Sequence, residues 1–419
     1  MLEKDDPTIV DRFKKIIQDK PIYQTGNLFH VVESVLNNRV KIQDLVEQHG
    51  TPFYLFDQST LDQAIDSFIS AFSSKIPSLK IYYALKINHH PLFIQGITKK
   101  GLGIDVGSCR ELELAVKAGC QDVIYSSPGK TDADIIFAMQ YADIVTINID
   151  SFNELKKIGE LTNETQKEIK VGVRIHNELH GDWKKYGISL ERLIEFWQQA
   201  KGYPLVNLRG IHFHKSRNSN ADFYVHMIKA LGDYLKQNFS QAELDQVKFI
   251  DFGGGFEVKE SEGYFSRTKD QYHVREALTF DEYAKQIGEA IRTHLEPIVD
   301  AEYYTEPGRV LCNSAMSIVL SVVDVKDEDN VVLDGGVNMV GWQRFESEYF
   351  PLMNITAPSE REIKCKMWGN LCTTWDIWGY YCYAERFREK DVIVVPNQGA
   401  LTYSLAQNFI QPIPPVYQI

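Results

Sequence analysis

Between residues 80 and 306, short apolar runs alternate with polar-faced helical segments, and this alternation limits the fold more than any other feature of the chain. The runs that predict strands are 81–86, 103–106, 123–126, 144–148, 171–175, 209–214, 249–253 and 303–306, eight in all. Helical spacing over 110–118, 152–161 and 190–201 fills gaps between them. Such alternation builds parallel βα units, and eight of them close into a (β/α)8 TIM-like barrel with its active site at the C-terminal strand ends. After Pro307 the texture changes to strand-like runs with little helix between them, at 316–325, 331–333, 363–368, 378–383 and 392–395. The chain is therefore expected to be α/β with a separate C-terminal β domain.

A length of 419 residues suits that division, since it exceeds one ordinary core. The expected parts are an N-terminal segment over 1–50 that is helical and contributes to the β domain, a barrel over 51–311, and a β domain over 312–419. Within the first part, Ile9, Val10, Phe13, Ile16 and Ile17 fall at helical spacing, 28–35 reads as a strand or short helix, and 42–49 reads as a helix ended by Gly50. The run 51–57 reads as a strand entering the next element.

Composition excludes several function classes. A net charge of −12 argues against binding nucleic acid or an anionic membrane through the bulk surface. The six cysteines show no paired or zinc-ligand spacing, which predicts reduced thiols in a cytoplasmic protein, one of them open to a catalytic role. The start, MLEKDDPTIV, is charged where a secretory signal needs its apolar stretch, so a soluble, unprocessed protein is expected.

Candidate chemistry collects at the predicted strand ends. Lys86 sits among apolar neighbours, where desolvation favours a neutral, nucleophilic amine able to form a Schiff base. The alternative is a lysine whose stem lines the strand while its ammonium reaches water. Gly253-Gly254-Gly255 follows the seventh strand, the usual side of this barrel for holding phosphate, although a glycine triplet also makes a plain tight turn. Glu306 ends the eighth strand and either pairs with Arg309 or holds a proton on a pyridine nitrogen. His212 and His214 share one face of the sixth strand. A histidine stacked on a cofactor ring fits better than a metal pair, because no complementary carboxylate and histidine pattern is evident at the other strand ends, and a packed core histidine is the third option. Arg174 is a cofactor contact or a rim salt bridge. A Schiff-base lysine, a phosphate cradle and a carboxylate for the ring nitrogen together point to pyridoxal 5'-phosphate (PLP), with no metal.

The segments Tyr83-Ala84-Leu85-Lys86-Ile87-Asn88, Asp105-Val106-Gly107-Ser108 with Glu111-Leu112, Lys185-Tyr186-Gly187-Ile188, Gly210-Ile211-His212-Phe213-His214, Asp251-Phe252-Gly253-Gly254-Gly255-Phe256, Glu306-Pro307-Gly308-Arg309 and Gly369-Asn370-Leu371-Cys372 run in the order of the fold-type III PLP-dependent decarboxylases of the ornithine and diaminopimelate type. The chain resembles that family, whose barrel is alanine racemase-like. The resemblance implies that Lys86 carries PLP, His214 stacks on the ring, Gly253, Gly254, Gly255 and Arg309 hold the phosphate, and Glu306 bonds the ring nitrogen. It adds Asp105, Arg174 and Tyr403 as cofactor contacts. Cys372 falls on the cysteine that reprotonates the α-carbon, on a loop that crosses to the neighbouring subunit in this family, so a homodimer with shared sites is implied. The candidate substrate contacts are Thr373, Asp376 and Arg344, with Lys215 and Arg217, two departures from the family whose positive charge either suits an acidic cap on the substrate or forms a solvated basic rim.

Two departures stand out. After His214 the run is Lys215-Ser216-Arg217-Asn218, without the family's glycine and phosphate-holding serine, and near the C-terminus Gly399-Ala400-Leu401 replaces Gly-Ala-Tyr. Thr373 stands where the ornithine and diaminopimelate enzymes place an acidic residue for the substrate's distal ammonium. With the stretches 395–400 and 403–409, it resembles the siderophore-pathway decarboxylases of citryl-diamino acids, which implies N-citryl-ornithine or a relative as substrate. The alternatives are a diaminopimelate, ornithine or lysine decarboxylase, a racemase, against which Glu306 argues, and an inactive regulatory homologue, against which Lys86 and the glycines argue.

Overall fold

The computed structural model describes residues 31, 34–181, 185–258, 264–266, 271–273, 277–341, 351–359 and 362–419. Arg344 and the expected helix over 7–19 lie outside them, as does most of 28–35. The chain divides into two compact units, Gln63–Glu257 with Ala277–Leu311, and Met1–Asp62 with Val258–Glu276 and Cys312–Ile419.

The first strand, β1 (Phe53–Phe56), corrects an expectation. Placed by sequence at the start of the barrel, it belongs to the other unit. Its residues are buried on both faces because it is an inner strand of the β unit's sheet, and two-sided burial gives the same apolar run as a barrel strand.

The barrel unit contains β2 (Leu79–Ala84), β3 (Gly103–Val106), β4 (Val123–Ser126), β5 (Val145–Ile149), β6 (Ile169–His176), β7 (Ile188–Ser189), β8 (Val206–His212) and β9 (Phe249–Asp251). The hairpin of β10 (Tyr264–Ser266) and β11 (Gln271–His273) follows in the other unit, and β12 (Glu302–Thr305) returns to the barrel. All barrel pairings are parallel, in the order β2, β3, β4, β5, β6, β8, β9, β12 and back to β2, so the sheet closes with eight strands and β7 as an annex on β6. The strands are short, buried apolar runs because both their faces are covered. Sequence also starts the helices between them. The Ser108 and Ser151 hydroxyls accept from the Glu111 and Glu154 amides, and Thr131 and Thr279 form capping boxes with Asp134 and Glu282. Tyr82, Ile124, Phe249 and Tyr304 form a buried cluster inside the barrel, with Phe249 stacked on Tyr304 at 4.6 Å. Gly210 makes room for it, since a Cβ there would lie 2.0 Å from the Phe249 ring. The interior is thus a packed core, and the chemistry sits at one end.

The second unit is built on β13 (Met316–Asp327), β14 (Asn330–Leu333), β15 (Met353–Asn354), β16 (Glu362–Trp368), β17 (Ile377–Tyr383), β18 (Val392–Val395) and β19 (Val416–Gln418). β13 is long enough to pair antiparallel with β1, β14 and β18 along its length, which closes β13, β14, β16, β17, β15 and β18 into a ring with β1 and β19 appended. Its core gathers Ile42, Phe53, Leu55, Val319, Ile355 and Val394. Ile42 comes from the helix Arg39–His49, which Gly50 ends at φ +73° with its amide donating to the Val46 carbonyl.

Candidate active site

The barrel brings most of the sequence-predicted residues to one mouth. Lys86 lies in the single turn Leu85–Ile87 just past β2, beyond the strand that was expected to carry it. β2 and β3 pair Ala84 with Asp105, and this register sets the Lys86 Nζ 3.3 Å from Asp105 Oδ2. Desolvation acts to lower the Lys86 pKa, but the charges of Asp105 and Glu306 outweigh it, and the amine is held above its ordinary value. Of the two states open from the sequence, these charges favour the ammonium reaching water, in keeping with a Lys86 side chain half exposed at 51 %. Asp105 is buried, and burial followed by repulsion from Glu306 pushes its carboxyl up to about 7 against the pull of Lys86. Asp105 is thus the charge partner that holds the Lys86 ammonium at the mouth.

β8 ends at His212, and His214 follows two residues later. His212 Nε2 lies 3.5 Å from Glu306 Oε1, and His214 Nδ1 lies 3.5 Å from Glu306 Oε2. This supplies the carboxylate that the sequence did not reveal beside the His-x-His pair, and one donor atom from each of the three falls within 4.8 Å of the others. Burial pushes Glu306 up, but the His212 imidazole facing it outweighs that and leaves its carboxyl well below the usual range. Burial lowers both imidazoles, His214 to about 4, so both stay neutral at pH 7. Asp251, on β9, is raised well above the usual range by burial and then by Glu306. Of two buried carboxyls so close, one ionises, and here it is Glu306. Asp251 is a site residue that the motif does not single out, although an acid inside the apolar run Phe249-Ile250-Asp251-Phe252 is a legible signal.

The glycine loop is locked from several sides. The Gly253 amide donates to Asp251 Oδ1 at 2.8 Å, and the Gly253 carbonyl accepts from the Glu306 amide at 2.9 Å and the Thr305 hydroxyl at 2.8 Å. Tyr224 donates to the Gly254 carbonyl at 2.8 Å. The Gly254 amide donates to His214 Nδ1 at 3.0 Å, which puts the ring proton of neutral His214 on Nε2. No side chain fits the triplet. Gly253 and Gly255 have φ of +69° and +87°, and a Cβ on Gly254 would lie 1.9 Å from the Glu306 carbonyl oxygen. The Ala84 amide donates to the Pro307 carbonyl at 3.1 Å, so the Lys86 turn and the loop after β12 are fastened together. Arg309 Nε lies 4.0 Å from Glu257 Oε1. Arg174, opposite His212 in the β6–β8 register, is buried with its guanidinium 4.3 Å above the Tyr186 ring.

Lys215 and Arg217 sit in different settings after His214. Lys215 Nζ donates to the Leu179 carbonyl at 2.9 Å and lies 5.4 Å over the Phe223 ring, which ties it to the barrel rim. Arg217 has a left-handed backbone, φ +59°. The remaining predicted residues belong to the β unit. Cys372 is exposed on the turn between β16 and β17. The Thr373 amide donates to the Leu371 carbonyl at 2.8 Å, and Tyr403 sits edge-on to Tyr54 at 5.5 Å. Asp376, expected as a substrate contact, is 1 % exposed, and both its carboxylate oxygens accept backbone amides within its own unit.

The donor set at the barrel mouth fits PLP. Asp105 Oδ1, His212 Nδ1 and Asp251 Oδ2 are buried without a hydrogen-bond partner among the described residues, and His212 Nε2 and Glu306 Oε1 meet only each other at 3.5 Å, so the site holds polar groups that a bound molecule can satisfy. An ionised buried carboxylate calls for a cationic partner, a protonated pyridine nitrogen supplies one, and the side-chain-free glycine loop leaves room for a phosphate.

Comparison with known proteins agrees. Residues 62–313, more than half of the chain, match the family model described as pyridoxal-dependent decarboxylase, pyridoxal binding domain. Diaminopimelate decarboxylase of Aquifex aeolicus is 22% identical over 92% of this chain and 89% of its own length. The L-glutamyl-[BtrI acyl-carrier protein] decarboxylase of Niallia circulans is 26% identical over 88% of each. Among solved structures, diaminopimelate decarboxylase from Helicobacter pylori complexed with L-lysine superposes with a TM-score of 0.77 at 22% identity, covering 90% of this chain and 94% of that one. Lysine/ornithine decarboxylase from Vibrio vulnificus complexed with putrescine gives 0.76 at 24%, covering 91% and 98%. The chain belongs to the pyridoxal-dependent decarboxylases, and it is a PLP-dependent carboxy-lyase acting on an amino acid.

Proposed function

We propose that the substrate is an α-amino acid whose distal amine carries an acidic cap, with N-citryl-ornithine of siderophore synthesis as the representative, and that a homodimer completes each site. The observation that carries the reading is Thr373, a neutral residue directly after Cys372. A site that takes a free distal ammonium gains a charge-assisted hydrogen bond from a carboxylate there, worth about 1.5–3 kcal/mol, and a threonine gives that up. The Niallia relative supports the direction, because its name gives a substrate joined to a carrier protein instead of a free diamino acid.

Within this reading each residue has a task. Lys86 would hold the cofactor covalently with Asp105 beside it, and His214, held by the Gly254 amide, would contact it. Glu306 would meet the ring nitrogen, and the glycine loop and Arg309 would hold the phosphate. Arg174 and Tyr403 complete the cofactor contacts. When bound, PLP supplies the electron sink that makes loss of CO2 feasible. Cys372 returns a proton to the α-carbon. Its exposure on the β unit suits delivery to a partner's barrel. Arg217 and Arg344 are the candidate contacts for the acidic cap, whereas Lys215 contributes field from the rim, given its bond to Leu179.

The test is kcat/KM for CO2 release across N-citryl-ornithine, ornithine, lysine and diaminopimelate. A preference of tenfold or more for the capped substrate is expected. A preference for a free diamino acid overturns the capped-substrate reading and moves the assignment to a diaminopimelate, ornithine or lysine decarboxylase.

A further inference from the structure

The turn that carries Cys372 is fastened by one buried side chain. Asp376 Oδ2 accepts the Leu371 amide at 2.6 Å, and Oδ1 accepts the Val337 amide at 2.8 Å, so a single carboxylate joins the cysteine turn to the separate turn at 336–339. The Asp376 carbonyl accepts the Gly369 amide at 2.9 Å and closes the base of the turn. Both neighbouring chains come close to the carboxylate. A Cβ on Gly369 would lie 2.2 Å from it and one on Gly336 3.0 Å, so glycine is the residue that lets each backbone approach. Two further bonds run beside it, from Asn370 Nδ2 to the Asp334 carbonyl at 2.6 Å and from the Trp378 indole to the Gly335 carbonyl at 2.8 Å. These join the same two stretches from either side of Asp376. Cys372 itself is exposed, and the backbone–backbone bonds of its turn among the described residues are local ones within 369–377.

We infer that Asp376 is a positioning residue for Cys372: its carboxylate clasps the amides of Leu371 and Val337 and so fixes where the thiol is presented. This rests on the reading of Cys372 as the proton donor. It replaces the substrate contact expected of Asp376, because the carboxylate is 1 % exposed and both its oxygens are turned to backbone amides of its own unit. The chemistry of the pair explains why an acid is used. Two amide donors converging from separate turns need two acceptor oxygens, and a carboxylate has two acceptors and no donor. An asparagine has one acceptor, and its NH2 would face an amide N–H.

The experiment compares the PLP-loaded wild type with D376N, G369A, C372A and the double variant C372A/D376N. Hydrogen exchange reads the clasp directly. Peptides covering Leu371 and Val337 are expected to exchange at least tenfold faster in D376N, with barrel peptides unchanged. Product analysis reads its effect as the ratio of amine to the aldehyde that arises when the proton goes to the cofactor's carbon instead of the substrate's. D376N is expected to raise the aldehyde fraction at least fivefold with KM and cofactor affinity within twofold, and to change nothing further in the C372A background. If D376N folds poorly, G369A, which crowds the carboxylate from the other side, is expected to shift the same ratio in the same direction. A normal product ratio in D376N and G369A while C372A alters it overturns the positioning role alone. A normal ratio in C372A overturns the proton-donor reading, whatever Asp376 does. A lowered melting temperature without faster local exchange or altered ratio assigns Asp376 to general stability and overturns the inference.

Discussion

The substitution Gly254→Ala tests the phosphate cradle at its tightest point. The added methyl would sit 1.9 Å from the Glu306 carbonyl oxygen and 2.7 Å from its carbonyl carbon, both backbone atoms, so no rotamer change relieves the clash. Relief to ordinary contact needs a shift of over 1 Å in the glycine loop or the end of β12. That shift strains the bonds from Glu306 N and Thr305 Oγ1 to the Gly253 carbonyl and from the Gly254 amide to His214. Overpacking of this kind costs about 1–3 kcal/mol, and the rigid partners here place it near the upper end. The loss falls on both folding and cofactor binding. If half or more reaches binding, the Kd for PLP rises about tenfold or more, since 1.4 kcal/mol is a factor of ten. The assay titrates the apo-protein with PLP and follows the visible absorbance of the lysine-bound cofactor, with Gly129→Ala as control because a Cβ there meets open space. A Gly254→Ala protein with unchanged melting temperature and a Kd within twofold of wild type would refute the close approach of loop and strand end on which the argument stands.

Three further outcomes are expected. Lys86→Ala removes the only amine placed 3.3 Å from Asp105 in this mouth among the described residues, so borohydride should trap no cofactor on the protein; trapping at an unchanged level would reassign the linkage. Glu306→Gln exchanges a charge-assisted bond to the ring nitrogen for a neutral one, which costs about 1–2 kcal/mol and should weaken PLP binding roughly tenfold with a larger fall in kcat, and a holoenzyme with normal turnover would remove Glu306 from the ring-nitrogen role. Asp376 is pushed up to about 6 by burial from its ordinary 3.8, so the folded state holds this proton more tightly than the unfolded chain does. Its contribution is therefore full below about pH 4 and is lost as pH rises through about 6, by on the order of 3 kcal/mol. Denaturant unfolding should show that slope in wild type minus Asp376→Asn, and equal slopes in the two proteins would place the Asp376 titration elsewhere.

The parts of this molecule legible in its sequence are those set by local pattern. A parallel strand covered on both faces must be a short, continuous apolar run, and eight such runs between helices leave one closed arrangement, so β2 to β6, β8, β9 and β12 fall close to where the pattern puts them. β1 obeys the same rule in a different sheet. Only its partners, β13 and β19, tell it apart from a barrel strand, and those lie more than 250 residues away in the chain. The glycine triplet and Glu306 were legible for a similar reason, since their requirement is written in residue type at a strand end.

Charge state was not legible, because it is set across strands. The apolar neighbours of Lys86 in sequence favour a neutral amine but leave an ammonium reaching water open. The β2–β3 register puts Asp105 beside it, and closure of β12 onto β2 brings Glu306 within reach, so two carboxylates from 19 and 220 residues along decide the outcome against desolvation. Asp376 shows the same limit in the β unit. Four residues from the cysteine it looks like part of a substrate pocket, yet the turn directs its carboxylate inward to amides that no sequence motif announces. In both cases the sequence shows the residue and not its partner. A carboxylate near a reactive group is therefore informative only once the strand or turn facing it is known, since the same side chain can hold an ammonium at Lys86 or two amides beneath Cys372.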